Sequence, residues 1–94
     1  MSKKKTNILS EANEIVNNRS EEKSRQYGPF EEGMSKAADI ATLMTSKVIT
    51  TEDMYKCMVA LKLSRESYSH KEDNLLDAVS YLGSMNNYIN NKNK

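Results

Sequence analysis

Asp73, Asp77 and Tyr81 recur at four-residue spacing, so on a helix they share one face. Two carboxylates one turn apart can approach a common cation, accept hydrogen bonds from hydroxyl or amino groups, or simply face water. Lys62 and Arg65 lie one turn apart near the end of an apolar segment, and Leu61 and Leu63 flank the lysine. A lysine so placed snorkels, pairs with an acid or contacts an anion. If the two groups face each other they form a mixed-charge pocket. Its cations suit phosphates, and its carboxylates suit ribose hydroxyls, base edges or Mg²⁺. Ordinary salt bridges between neighbouring helices explain the same residues without a ligand, and spacing alone leaves both readings open. A third feature is "RQYGPF" at 25–30. There Arg25 can hold a phosphate, Tyr27 offers a stacking face, and Gly28 permits close backbone approach. Gly-Pro before a helix is also a common loop ending.

Other chemistries find less material. Glu11 and Glu14 lie one turn apart on the first helix, near its start, where the helix dipole favours acids. Glu31 and Glu32 open a helix, where the dipole alone explains acids. His70 and Cys57 are the only soft ligands, too few for a zinc site. Cys57 stands in an apolar run and is expected to be buried, which argues against a Cys–His nucleophile. No phosphate-binding glycine loop, dinucleotide fingerprint or serine-nucleophile elbow occurs.

These residues must be positioned by helices. The helical period dominates and no run alternates as a strand does, so the fold class is all-α: a compact bundle of about four helices. The first is expected over about Thr6 to Asn18, and the second from Pro29 to Ser46 with Phe30, Met34, Ala37, Ala38, Ala41 and Met44 inward. Thr51 is the expected N-cap of the third, with Glu52 and Asp53 in its first turn. That helix runs to about Ser67, is apolar on most sides, and is expected at the centre of the bundle. Ser69 with Glu72 reads as a capping box for the fourth. The fourth carries Leu75, Leu76, Val79, Leu82, Met85 and Ile89 on its core side. The short connection makes helices three and four antiparallel neighbours. The methionines read as core or subunit interface.

Length and composition set the remaining bounds. Ninety-four residues make one domain, 1–94, with frayed ends expected at 1–5 and 90–94. A chain of this size buries roughly 60–65% of its unfolded surface, and only 37% of its residues are hydrophobic. Burial between copies would add apolar contact, so a homo-oligomer is expected. The net charge of +1 gives no global attraction to nucleic acid or to an anionic membrane. A single cysteine and no apolar stretch of membrane length point to a cytoplasmic protein.

The order "ILSEANEIV…R…YG…", "ITTEDMYKCMVALKLSRES", "HKEDNLLDAVSYL" resembles a family of small phage and prophage proteins of unassigned function. The matching positions are Glu11, Ala12, Tyr27, Gly28, Lys62, Arg65, Asp73, Asp77 and Tyr81, with Arg19 or Arg25 as the arginine before Tyr-Gly. That family in turn resembles the MazG-type all-α nucleotide pyrophosphohydrolases, which hold Mg²⁺ with "E-E-x-x-E" on one helix and "E-x-x-D" on a later one. Here "FEEGMSK" lacks the third acid, and Asp73 and Asp77 are four apart rather than three.

The resemblance implies a phage-type accessory protein that binds a nucleotide-like, phosphate-bearing ligand, with sequestration of a host defence signal as its role. The ligand-binding set is Arg25, Tyr27, Gly28, Lys62, Arg65, Asp73, Asp77 and Tyr81. This reading needs no catalytic residue and no cofactor. The alternatives are a Mg²⁺-dependent pyrophosphohydrolase of MazG type using Glu11, Glu14, Asp73 and Asp77, and a non-enzymatic module that inhibits a host protein. A helix-turn-helix DNA binder fits less well, because the basic residues do not gather on one recognition helix.

Overall fold

A computed structural model describes residues 7–18 and 30–92. Four α-helices make up the described residues: α1 (Ile8–Asn17), α2 (Phe30–Thr45), α3 (Thr51–Tyr68) and α4 (Glu72–Lys92). The all-α bundle is the fold that the periodicity predicts. Arg25, Tyr27 and Gly28 lie outside the described residues.

Each helix has a local reason to start or stop where it does. Asn7 opens α1, its side-chain oxygen accepting the Leu9 N–H at 2.8 Å. Helix α2 stops at Ser46, which takes a left-handed φ of 61° while its N–H still bonds the Thr42 carbonyl at 2.9 Å. The chain then doubles back along α2. The Thr42 hydroxyl accepts the Ile49 N–H at 2.8 Å and donates to the Ile49 carbonyl at 3.1 Å. Thr50, not Thr51, caps α3. Its hydroxyl accepts the Asp53 N–H at 3.0 Å, and the Asp53 carboxylate accepts the Thr50 N–H at 3.1 Å. The reciprocal bond needs an acid three residues after the cap, and Thr51 has Met54 there. These bonds to Thr50 hold the Asp53 carboxyl below the usual carboxylate range.

Helix α4 is the hub of the bundle. It packs on α1, α2 and α3, whereas α3, the expected centre, packs chiefly on α4 and α2. Burial agrees. Asn74, Ala78, Ser80 and Ser84 of α4 are buried, but Tyr55 is the only buried residue of α3. Cys57 is exposed, contrary to expectation, as are Leu61 and Leu63. The small side chains on α4 let neighbouring helices approach closely. Ala12 of α1 and Met34 and Ala38 of α2 complete the buried set. Met44, expected inward, is exposed.

Tyr55 and Ser84 fix the α3–α4 register. Both are fully buried, and their hydroxyls lie 2.6 Å apart. Lys62 is seven residues on from Tyr55, Asp77 is seven residues back from Ser84, and their charged ends meet at 3.0 Å. Two turns forward on one helix are thus two turns back on the other, an antiparallel pair.

Candidate functional site

The α3–α4 corner holds a cleft of about 530 Å³ lined by Lys62, Arg65, Ser69, Lys71, Asp73, Asn74 and Asp77. That volume lies within the range of small-molecule sites. Four of the residues singled out by spacing therefore meet: Lys62, Arg65, Asp73 and Asp77. They meet because the antiparallel register carries the last turns of α3 past the first turns of α4. Sequence reasoning missed Ser69, Lys71 and Asn74, which sit in the connection and in the opening turn of α4. Tyr81, one turn beyond Asp77, does not line the cleft. Its ring packs edge-on against Phe30 of α2, with centroids 5.4 Å apart.

The cleft's charge is partly spent internally. Lys62 lies largely covered, with its side chain 15% exposed, and its ammonium bonds the Asp77 carboxylate. This is the interhelical salt bridge that explains the lysine without a ligand. Arg65 and Lys71 differ, because neither side chain has an ion-pair or hydrogen-bond partner among the described residues. Asp73 is likewise unpaired. Three cations face two carboxylates, and the free members are Arg65, Lys71 and Asp73.

Glu66 shapes the rim. Its carboxylate bonds the His70 imidazole, accepts the Lys71 N–H at 3.1 Å and accepts the Asn74 amide at 3.3 Å. The His70 bond chiefly, with the Lys71 and Asn74 bonds behind it, lowers the Glu66 carboxyl below its ordinary range, while desolvation opposes them. Glu66 thereby anchors the start of α4 from the preceding helix. The Ser69–Glu72 capping box does not form. Ser69 instead ends α3, its N–H bonding the Arg65 carbonyl at 3.2 Å.

Two other grooves flank α1 and α4. The larger, about 650 Å³, is lined by Val16, Asn17, Glu31, Asn87, Asn90 and Asn91. The smaller, about 240 Å³, is lined mostly by apolar and amide side chains. Neither lining set contains a cation, and two amide bonds, Asn17 to Asn13 and Asn87 to Asn17, occupy this seam. The proposed metal set is not assembled. Among the described residues no three His, Cys, Asp or Glu side chains stand close enough to hold an ion, so Glu11 and Glu14 do not join Asp73 and Asp77. Among the same residues no helix is long and apolar enough to cross a membrane.

What the corner can do chemically is bind. A guanidinium and an ammonium free of partners can take a phosphate or carboxylate, and an unpaired aspartate beside them can accept from a hydroxyl or amino group. Comparison with curated proteins and with solved structures returns no match. A family described as a domain of unknown function, DUF6378, matches residues 7–89, and the chain belongs to it.

Proposed function

We propose that the α3–α4 cleft binds a nucleotide-like, phosphate-bearing small molecule, and that the protein is a phage-type accessory factor that sequesters such a signal. The observation that carries this reading is the pair of unpartnered cations, Arg65 and Lys71, beside unpartnered Asp73 in a cleft of ligand size. A packing-only account leaves them unexplained, because the interhelical salt bridge uses Lys62 and Asp77 instead. In this proposal Arg65 and Lys71 hold phosphate oxygens, and Lys62, paired with Asp77 in the lining, adds charge. Asp73 and Asp77 accept from hydroxyl or amino groups. Arg25 and Tyr27 enter on the sequence alone, as a further phosphate contact and a stacking face. The opening turn of α4 adds backbone N–H groups at the same corner. The proposal includes self-association of the chain.

Titration calorimetry of the full chain against pyrophosphate and against nucleoside mono-, di-, tri- and cyclic phosphates tests the reading. Binding that Arg65→Ala weakens by about tenfold or more, and that falls with added salt, is the expected result. No heat with any of these ligands overturns it. Release of pyrophosphate that needs Mg²⁺ and disappears in Asp77→Asn would favour hydrolysis over sequestration.

A further inference from the structure

The end of α2 carries apolar surface that the other described residues leave exposed. Ile40 is 57% exposed, Leu43 82%, Met44 80% and Val48 81%. Ile40, Leu43 and Met44 recur at helical spacing, and Val48 follows on the returning loop. Single exposed hydrophobics are normal, but four large ones within nine residues make a patch.

The topology explains why the patch is left open. Thr51 meets Ser35 at 3.2 Å, and Tyr55 feels the charge of Glu31, so α3 runs back along the first half of α2 and away. The second half of α2 projects past that crossing, with the 46–50 loop folded back against Thr42. The cleft at Lys62 and Arg65 therefore lies at the opposite end of the α2–α3 pair, roughly 30 Å away at the usual helical rise.

We infer that this patch is the contact between two copies of the chain, packed α2 against α2 about a two-fold axis near Leu43. Charge and area both point to this occupant. Asp39 stands four residues before Leu43 and Lys47 four residues after it, and neither side chain has a partner among the described residues. Asp39 lies at the α2 edge of the patch and Lys47 on the returning loop at its other edge, so an antiparallel pairing brings the acidic edge of each copy toward the basic edge of the other. A partner for this surface needs the same pattern reversed, which a second copy supplies by symmetry. Four large apolar side chains, each 57–82% exposed, make a patch comparable to the largest on a typical monomer, roughly 300–600 Å². Two such faces, fully covered, approach the roughly 1,200 Å² at which stable interfaces begin, and the flanking charged residues add to that. The inference rests on the proposed self-association and names its surface, and it leaves both ligand clefts open at the far ends.

Sedimentation velocity on the full chain is the test. The wild type is expected at twice its 10.7 kDa mass, with Leu43→Glu raising the dimer dissociation constant about thirtyfold or more. Asp39→Lys alone should weaken the dimer, and adding Lys47→Asp should restore it. Tyr68→Ser, at a site 91% exposed elsewhere, should change nothing. All four positions are exposed, so circular dichroism should be the same throughout. A dimer indifferent to Leu43→Glu overturns this surface but not self-association. A wild type that stays monomeric at hundreds of micromolar overturns both, and assigns the patch to another partner.

Discussion

Tyr55→Phe removes one oxygen atom and keeps the ring, so it isolates the bond that sets the α3–α4 register. Tyr55 and Ser84 are both 0% exposed and their oxygens are 2.6 Å apart. A water molecule cannot replace the phenol without a rearrangement of the core. Losing the bond costs about 1 kcal/mol net, and stranding the buried Ser84 hydroxyl brings the total to about 2 kcal/mol. Ser84→Ala strands the phenol instead and should cost a similar amount. In the double variant both polar groups are gone. Its cost should be about 1 kcal/mol, far below the sum of the singles, with a coupling of about 3 kcal/mol. For a domain of this size, each single variant should lower the thermal midpoint by about 8–16 °C. Urea unfolding of all four proteins, followed by far-ultraviolet circular dichroism, measures the cycle. Additive costs would refute the reasoning, because they would mean that neither hydroxyl depends on the other. The stake is larger than one bond. The same register brings Lys62 to Asp77, so Tyr55→Phe should also blunt ligand binding at the cleft although Tyr55 does not line it.

Three further outcomes follow from particular residues. Asp77→Asn frees Lys62 and removes one of the cleft's two carboxylates, which at about 6 Å in a partly screened medium is worth about 1 kcal/mol to an incoming phosphate. Pyrophosphate should bind three- to tenfold tighter by calorimetry, and weaker binding would mean that Asp77 orients the cations. Glu66 and Asp53 both have carboxyls held below their usual range, so their contribution to folding is complete above the ordinary carboxylate range and is lost as pH falls from there through their lowered folded-state range. The thermal midpoint should drop on acidification from pH 5, less steeply in Glu66→Gln with Asp53→Asn. Ser46→Gly relieves the left-handed φ of 61° and should stabilise the protein by about 0.5–1 kcal/mol in urea unfolding.

Much of the fold was legible because helical spacing and turn chemistry are local signals. Helix α3 begins at the threonines before Glu52, one residue from the expected cap, and the described part of α2 begins at Phe30, next to the Gly-Pro of the sequence. Burial was less legible, for an identifiable reason. Hydropathy treats apolar as interior, which made α3 the expected centre and Cys57 and Met44 core residues. In α4 the interior positions are Asn74, Ala78, Ser80 and Ser84, chosen for size rather than for hydropathy. A serine whose hydroxyl bonds a helix carbonyl, as Ser80 bonds that of Leu76 at 2.9 Å, or a buried tyrosine, as Ser84 does, is satisfied inside. No hydropathy window registers that. The Ser69–Glu72 pattern failed for a related reason. A capping box is a local offer, and Glu66 had already taken the start of α4 from outside the motif.

The candidate site was legible where it depended on register and illegible where it depended on the connection. An antiparallel hairpin of two helices necessarily brings the last turns of one to the first turns of the next, so Lys62, Arg65, Asp73 and Asp77 had to converge. Tyr81 shares their spacing but sits where α4 has turned toward Phe30, and spacing alone does not show where one neighbour gives way to another. Convergence by itself says little about function, since Lys62 and Asp77 converge and cancel. The discriminating feature is which charges remain once the pairing is complete. Arg65, Lys71 and Asp73 remain, from the end of α3, the connection and the opening turn of α4, in a cleft whose rim Glu66 holds in place. Two cations against one carboxylate leave the unpaired groups of the cleft with an excess positive charge, and a bound anion offsets it. That is a physical reason for this corner to bind a phosphate group, independent of any family likeness.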